Sequence, residues 1–430
     1  MPIKILAAGD IHLGLIVTGL SAGVGEFSAR DIWKRMVDWA VLNNVDIVAL
    51  SGDIVDRDNR FFEAVGPLQA GFRKLGENNI RVFIVSGNHD FDVLPQIIRS
   101  GSHDNVKLLG AGGTWELERY VKGSETLQFA GWSFPVQHVR NSPLKNFDIT
   151  GIDPDLPCIG LLHADYGAVD SPYNPVSLPD FVRPGIDAWI LGHIHKPQEL
   201  NLSGPYIFYP GSPLALSSKE TGAHGPVVIT VNNNTAGRAE RAFPSPVRFE
   251  NISIDISGSG TEEALRDTLV NGLLDRTLSL GDELQDVSCI SYGVMLTGTH
   301  ANPALVESWA SGMRDDFSHE TADGTKIVVH DTDFNIQPEV SNLRELARQN
   351  SPAGMLARTI VAIEDGEETE FLKNLLAEWK TNHREMNRKE IYLSLQKSAL
   401  TDDDAEKKGK QFILAESKRL LGNLLQQKSE

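Results

Sequence analysis

The segment Arg81-Val82-Phe83-Ile84-Val85-Ser86-Gly87-Asn88-His89-Asp90 runs from an apolar strand into a glycine and then sets an amide, an imidazole and a carboxylate side by side. In an α/β fold, ligands bind in the crevice beyond the carboxyl ends of the strands, so this segment places three polar groups there. Two earlier stretches repeat the arrangement. Ile3–Ala8 ends in Gly9-Asp10-Ile11-His12, and Asp46–Ser51 ends in Gly52-Asp53-Ile54-Val55-Asp56-Arg57. Between them Ser28–Leu42 carries Ile32, Met36, Val37, Ala40 and Val41 at helical spacing, and Phe61–Gly76 reads as a second helix. A β-α-β-α-β run with short connections specifies a parallel sheet covered by helices. Each time, the chemistry-bearing residues follow directly on a strand's last apolar residue.

After Asp90 the rhythm changes to strands with fewer helices. Strands are expected at Val106–Leu109, Thr114–Tyr120, Leu127–Phe134, Cys158–His163, Ala188–Leu191, Tyr206–Tyr209 and Val227–Val231. They are expected to form a second layer, giving a two-sheet α/β sandwich, with Asn141–Asp155 as a surface loop near the site. Pro244 and Pro246 mark a boundary. Beyond it Ile252–Ile256, Thr261–Leu273, Cys289–Thr297, Pro303–Asp316 and Lys326–Thr332 alternate strand and helix, a small β-α-β-α-β cap domain. After Pro338 only helical spacing remains, at Leu343–Arg348, Gly354–Glu364, Glu370–Leu395 and Ala405–Leu425. The expected domains are therefore 1–245, 246–336 and 337–430.

A chain of 430 residues is too long for one ordinary core. With 41% hydrophobic and 23% charged residues it belongs to the globular class. No apolar stretch approaches the ~18–20 residues of a membrane span, and Asp10 and His12 interrupt any secretory apolar region. A soluble, cytoplasmic enzyme is expected. Cys158 and Cys289 sit in separate apolar segments and read as buried thiols, not as a bridge or a zinc site. The net charge of -18 argues against a globally basic nucleic-acid binder. Residues 365–430 are nearly balanced, with 12 basic and 13 acidic side chains, so the acidity lies in what precedes them. Any polyanionic substrate must be drawn in by metal ions and a few local cations.

The strand ends together offer Asp10, His12, Asp53, Asn88, His163, His193 and His195. Carboxylate, imidazole and amide oxygen without thiolate suit a divalent ion such as Mn²⁺, Fe²⁺ or Zn²⁺. Residues two apart on an extended strand point the same way, so Asp10 and His12 can share an ion, as can His193 and His195. Seven ligands exceed a tetrahedral zinc and match two ions, with Asp53 able to lie between them. Two metals about 3.5–4 Å apart activate a water and clamp a phosphate for in-line attack. Singly each motif is commonplace, and His163 alone would read as a core histidine. Their joint occurrence at successive strand ends favours the metal site.

In this order Asp10-x-His12, Gly52-Asp53-x-x-Asp56, Gly87-Asn88-His89-Asp90, His163 and Gly192-His193-x-His195 resemble the calcineurin-like metallophosphoesterase superfamily. Within it the chain is most similar to the SbcD-type DNA repair exonucleases and their YhaO-like relatives. That similarity rests on Asp10-Ile11-His12-Leu13-Gly14, on Leu191-Gly192-His193-Ile194-His195-Lys196-Pro197-Gln198, on Tyr209-Pro210-Gly211-Ser212-Pro213, and on a cap followed by helices. The resemblance implies that Asp10, His12, Asp53 and His195 hold one ion and that Asp53, Asn88, His163 and His193 hold the other. It implies that His89 protonates the leaving oxygen, with Asp56 or Asp90 orienting its ring. It further implies Mn²⁺ as the metal, exonuclease action on duplex DNA ends and endonuclease action on single strands. A homodimer is implied as well, with helices from Glu370 onward that dock on an SbcC-like coiled-coil ATPase. The other reading of those helices is a hairpin packed on its own protein.

Two features point elsewhere. Asp53-Ile54-Val55-Asp56-Arg57 reads like the Ser/Thr phosphatase form of its motif, in which the arginine binds substrate phosphate. Arg57 could clamp a phosphate bidentately or make a surface ion pair. Together with the acidity it favours the alternative of a phosphodiesterase or phosphatase acting on a small molecule or phosphoprotein. A third reading, a non-catalytic partner of an ATPase, leaves the ligand set and His89 without a purpose. His138, following Trp132-Ser133-Phe134-Pro135, is a candidate substrate contact at the mouth of the site.

Overall fold

A computed structural model of the chain describes residues 1–20, 26–56, 61–101, 103–147, 150–168, 170–182, 185–233, 235–339, 343–387 and 402–426. Arg57 lies outside these residues, as does the part of the expected Glu370–Leu395 helix beyond Asn387.

The strands of the first sheet are apolar at nearly every position because both of their faces are covered. β1 (Ile3–Ala8), β2 (Ile47–Leu50) and β3 (Arg81–Ile84) are parallel neighbours, with Ile5 beside Ile47 and Ala49 beside Phe83. On one face Leu6, Ala8, Val48, Leu50, Val82 and Ile84 pack with Ile32, Trp33 and Met36 of α1 (Ala29–Leu42) and Leu68 and Phe72 of α2 (Phe61–Glu77). On the other, Ile3, Ile5, Ala7, Ile47, Ala49 and Phe83 face a second sheet. Alternation of this kind fixes the register, since a slip of one residue would exchange the two faces. α3 (Leu94–Ser100) leads to β4 (Val106–Leu108), which joins the edge of β3 in parallel.

The second sheet starts with the hairpin β5 (Glu116–Lys122) and β6 (Glu125–Trp132), followed by β7 (Cys158–His163). A short parallel pair, β8 (Asp165–Tyr166) and β9 (Pro175–Val176), and the turn of helix α4 (Leu178–Phe181) come next. β10 (Ala188–Gly192), β11 (Gln198–Asn201) and β12 (Tyr206–Tyr209) complete the order β11-β12-β10-β7-β6-β5. β12, β10, β7 and β6 run parallel. Leu127, Phe129, Ile159, Leu161, Ala188, Ile190 and Phe208 meet the first sheet, and Phe83 stacks on Phe129 with ring centroids 4.5 Å apart. The chain then returns through β13 (Val227–Asn232), antiparallel to β1, with the short β14 (Thr235–Ala236) and β15 (Glu240–Arg241) on its outer side.

The two-sheet α/β sandwich is thus present, with two strands in another layer than expected. Val106–Leu108 and Val227–Asn232 belong to the first sheet, not the second. Apolar composition marks a strand as buried without saying which sheet it joins. β11 has no sequence signal of a strand, because Gln-Glu-Leu-Asn carries no apolar alternation, as suits an edge. The 141–155 segment is more than surface loop, since Leu144 is fully buried in a 3-10 turn at Pro143–Asn146.

The remaining elements are β16 (Val247–Asp255), α5 (Glu262–Leu280), β17 (Cys289–His300), α6 (Pro303–Asp316), β18 (Ser318–Glu320) and β19 (Lys326–Pro338), with sheet order β16-β17-β19-β18. The helices α7 (Leu343–Leu346), α8 (Pro352–Glu364), α9 (Glu370–Asn387) and α10 (Asp402–Gln426) follow. α10 packs on α8 through Leu421, Ala357 and Ile360, and on α9 through Ile413, Leu372 and Leu376. The chain divides into two compact units: Met1–Asn251, Arg276–Gly293 and Phe317–His330 form one, and Ile252–Asp275, Val294–Asp316 and Asp331–Glu430 the other. Both cysteines are free and buried. Among the described residues no helix is long and apolar enough to cross a membrane.

Candidate metal centre

The parallel ladder of the first sheet does not stop with its strands. Asp10 N donates to Gly52 O and His12 N to Asp53 O, each at 3.0 Å, and Leu13 N reaches Ile54 O at 2.8 Å. The two loops therefore leave the sheet as a pair, and their side chains are held at fixed height above it. This requires unusual backbone. Asp10, His12, Asp53 and His193 have φ of 52°, 50°, 51° and 103°, in the region that side chains with a Cβ rarely occupy. Such strain persists only where the surroundings enforce it, and it gathers at functional sites. Gly87 and Gly192 admit the close approach of the strand ends: a Cβ would overlap the Asp53 carboxylate at the first and the Ser51 carbonyl at the second.

The second sheet delivers its histidines to the same place. His163, at the end of β7, is fully buried, and its Nε2 lies 3.2 Å from Asp53 Oδ2 and 3.1 Å from Asn88 Oδ1. Its Nδ1 lies 3.0 Å from Ser51 O. His193 N, just past β10, donates to both Asp10 oxygens at 3.0 and 3.1 Å. The His193 ring lies 5.3 Å from that of His163, and its Nε2 is 3.7 Å from Asp165 Oδ2. His195 Nε2 stands 3.2 Å from His12 Nε2.

Three groups of metal-competent atoms result, each closing within 4.8 Å: Asp10, His12 and His195; Asp10, Asp53 and His163; and His12, Asp56 and His89. The donor chemistry fits divalent cations. Asp10, Asp53, Asp56 and Asp90 are all buried, at 1, 2, 4 and 0% exposure, and buried carboxylates need compensating positive charge. His12 Nδ1 is buried without a hydrogen-bond partner, and two imidazole nitrogens face each other across the His12–His195 gap. Oxygen and imidazole donors without a thiolate suit borderline-hard ions. These Asp/His clusters are suited to a dinuclear metal site.

The electrostatics follow from the same crowding. Burial would raise the Asp53 carboxyl, but the charge and hydrogen bond of His163, with His12 and His89 nearby, hold it far below the usual carboxylate range. Burial disfavours charged His163, yet Asp53 and Asp10 push its pKa up to about 9. His195 also reaches about 9, because the hydrogen bond to Glu220 and the charge of Asp10 outweigh burial.

His89 flanks the cluster. Its ring stands edge-on to that of His12, centroids 5.0 Å apart, and the His89 backbone N–H donates to Asp53 Oδ1 at 2.9 Å. Asp56 lies beside it, with Oδ2 3.6 Å from His12 Nδ1. Asp90 has a different place. Its Oδ1 accepts from Gly87 N at 2.7 Å, and its Oδ2 from Ile54 N at 2.7 Å and Val55 N at 3.3 Å. Both oxygens thus fasten the Gly87–Asp90 loop to the Asp53–Val55 loop. Burial and the neighbouring Asp53 push the Asp90 pKa up to about 7 against those amide donors. His138 is exposed, and its ring lies 5.6 Å from Tyr173, which lies 5.1 Å from His193. Arg57 is outside the described residues.

Two participants carried no signal in the motifs. Asp165 faces His193, and being two residues past His163 it could have been found by strand alternation. Glu220 Oε1, 3.0 Å from His195 Nδ1, comes from a Ser-Ser-Lys-Glu-Thr loop that has no pattern to find.

The calcineurin-like phosphoesterase family model matches residues 3–197, which span every strand end described above up to His195. These residues are a calcineurin-like phosphoesterase domain. The chain is similar to YhaO of Bacillus subtilis, named an uncharacterized metallophosphoesterase, at 29% identity over 269 residues, which cover 60% of this chain and 64% of that one. It is also similar to the SbcD component of the nuclease SbcCD of Rhodobacter capsulatus, at 25% identity over 56% of this chain and 69% of that one. The DNA double-strand break repair protein Mre11 of Haloferax volcanii matches at 24% identity over 71% of this chain and 64% of that one. The match to YhaO thus spans less than two thirds of that relative's length. The phosphoesterase domain carries all seven candidate ligands and His89.

Proposed function

We propose that the chain hydrolyses DNA phosphodiesters with two divalent ions, as a nuclease of the SbcD type. The observation that carries the reading is the position of Asp53: its Oδ2 lies 3.2 Å from His163 Nε2 and 4.0 Å from His12 Nε2, between the two ligand clusters. That supports Asp53 as the shared ligand. Asp10, His12 and His195 would complete one site, and Asn88, His163 and His193 the other. When bound, the ions supply Lewis-acid polarisation of the phosphoester and lower the pKa of water. His89 gives a proton to the leaving oxygen, and Asp56 orients its ring. Asp90 keeps the His89 loop in place, and His138 on Tyr173 offers an aromatic shelf for the substrate.

Similarity to a subunit of the nuclease SbcCD and to a DNA double-strand break repair protein supports DNA as the substrate, and the motif resemblance carries Mn²⁺ as the metal and an SbcC-like coiled-coil ATPase as partner to a homodimer. The cap and the helices from Glu370 onward fit a task larger than hydrolysis of a small ester. The net charge of -18 favours the second reading, a phosphodiesterase or phosphatase on a small-molecule or phosphoprotein substrate. The two separate cleanly. Purified protein with Mn²⁺ is assayed on end-labelled duplex and single-stranded DNA beside bis-p-nitrophenyl phosphate. Release of nucleotides together with ester hydrolysis is expected; ester hydrolysis with intact DNA, with or without an ATPase partner, would overturn the nuclease reading.

A further inference from the structure

We infer that Glu220 is a positioning residue for the metal centre: its carboxylate takes the Nδ1 hydrogen of His195 and commits the Nε2 of that ring to the ions. This rests on the two-metal reading above and extends it to a residue outside every motif of the chain.

Glu220 Oε1 lies 3.0 Å from His195 Nδ1. At the opposite edge of the same ring, Nε2 enters the Asp10–His12–His195 group, 3.2 Å from His12 Nε2. An ionised carboxylate can only accept, and the neutral imidazole that ligates an ion carries one N–H. With an ion bound, the proton belongs on Nδ1 and the lone pair on Nε2. A carboxylate in this position beside a ligating histidine fixes its tautomer and ring orientation and raises its basicity.

Glu220 is itself gripped, which separates it from an incidental surface pair. Ser212 Oγ donates to Oε2 at 2.9 Å, and Leu216 N donates to the same oxygen at 3.1 Å. Ser212 N donates to His195 O at 2.8 Å, so this loop and the histidine are tied at backbone and side chain. Behind Ser212 stands His224, 1% exposed, its Nδ1 3.0 Å from Ser212 O. On the far side Gly222 N donates to Phe249 O at 2.8 Å, and Ser245 N to His224 O at 2.9 Å. Both Glu220 oxygens are thereby used, one on the histidine and one on the loop that carries the residue.

The test uses the full chain, stripped of metal and titrated with Mn²⁺ for affinity and with Co²⁺ for the visible spectrum, as wild type, Glu220→Gln and Glu220→Ala. Glu220→Ala is expected to weaken one of the two ions by about 10–100-fold, leave the other in place and change the Co²⁺ spectrum. Glu220→Gln keeps the size and an acceptor for His195 but loses an acceptor for Leu216 N, so a smaller change of the same kind is expected. If Glu220→Ala does not fold, Glu220→Gln decides on the same two readouts. Wild-type affinities and spectra in both variants overturn the inference. So does a lower melting temperature of the metal-free protein with both readouts unchanged, since that assigns Glu220 to packing alone. A wild type that binds two ions yet hydrolyses no phosphoester overturns the proposed function and leaves the result on Glu220 readable; a wild type that binds no ion overturns both.

Discussion

The two sheets of the sandwich contribute different chemistry to one place. The first sends Asp10, His12, Asp53, Asn88 and His89 from its strand ends, so it supplies the candidate carboxylate ligands and the amide. The second sends His163, His193 and His195, imidazoles only. His12, Asp56 and His89 cluster on the first sheet's loops alone, whereas the other two groups draw on both sheets. The first alone would bury carboxylates without compensation, and the second alone lacks oxygen ligands. The centre exists because the apolar faces dock, with Phe83 on Phe129, and set His163 Nε2 3.2 Å from Asp53 Oδ2. An ion held by residues of both sheets would link metal binding to sheet packing and stabilise the fold by mass action.

Asp53→Asn should break the comparison at its centre. With the shared carboxylate gone, metal analysis should show fewer than two ions and phosphoester hydrolysis should fall to background; two ions retained would remove Asp53 from the bridging position. His89→Ala comes next. Its turnover should fall by about 10²–10⁴-fold while both ions stay bound, and loss of metal would instead make His89 a ligand. Phe129→Ala touches no ligand but opens the seam between the sheets. It should cost about 3–5 kcal/mol in denaturant unfolding and weaken Mn²⁺ binding as well. Lower stability with unchanged Mn²⁺ affinity would show that each half binds metal without the other. The smallest effect belongs to the aromatic shelf: His138→Ala should raise KM for DNA by about tenfold or less at unchanged kcat, and a kcat defect would place His138 in the chemistry.

What could be read in advance follows the same division. Asp10, Asp53, Asn88 and His163 were legible because each comes at, or just past, the end of an apolar run, where a parallel strand must stop and its loop must open over the sheet. Layer assignment was harder. β4 and β13 are as apolar as their neighbours, and only pairing decides that they flank the first sheet. Asp90 stands where a carboxylate orienting His89 is expected, and the amides of Gly87, Ile54 and Val55 hold its oxygens, a use that the motif alone does not reveal. Glu220 was invisible for the opposite reason. It lies 25 positions from His195 on a loop of small polar residues, and only the fold brings them to 3.0 Å.

The most direct test of the jointly built centre is anomalous diffraction from crystals grown with Mn²⁺. The account predicts two peaks, one among Asp10, His12 and His195 and one among Asn88, His163 and His193, with Asp53 touching both. A single peak, or a second ion held by residues of only one sheet, would contradict it.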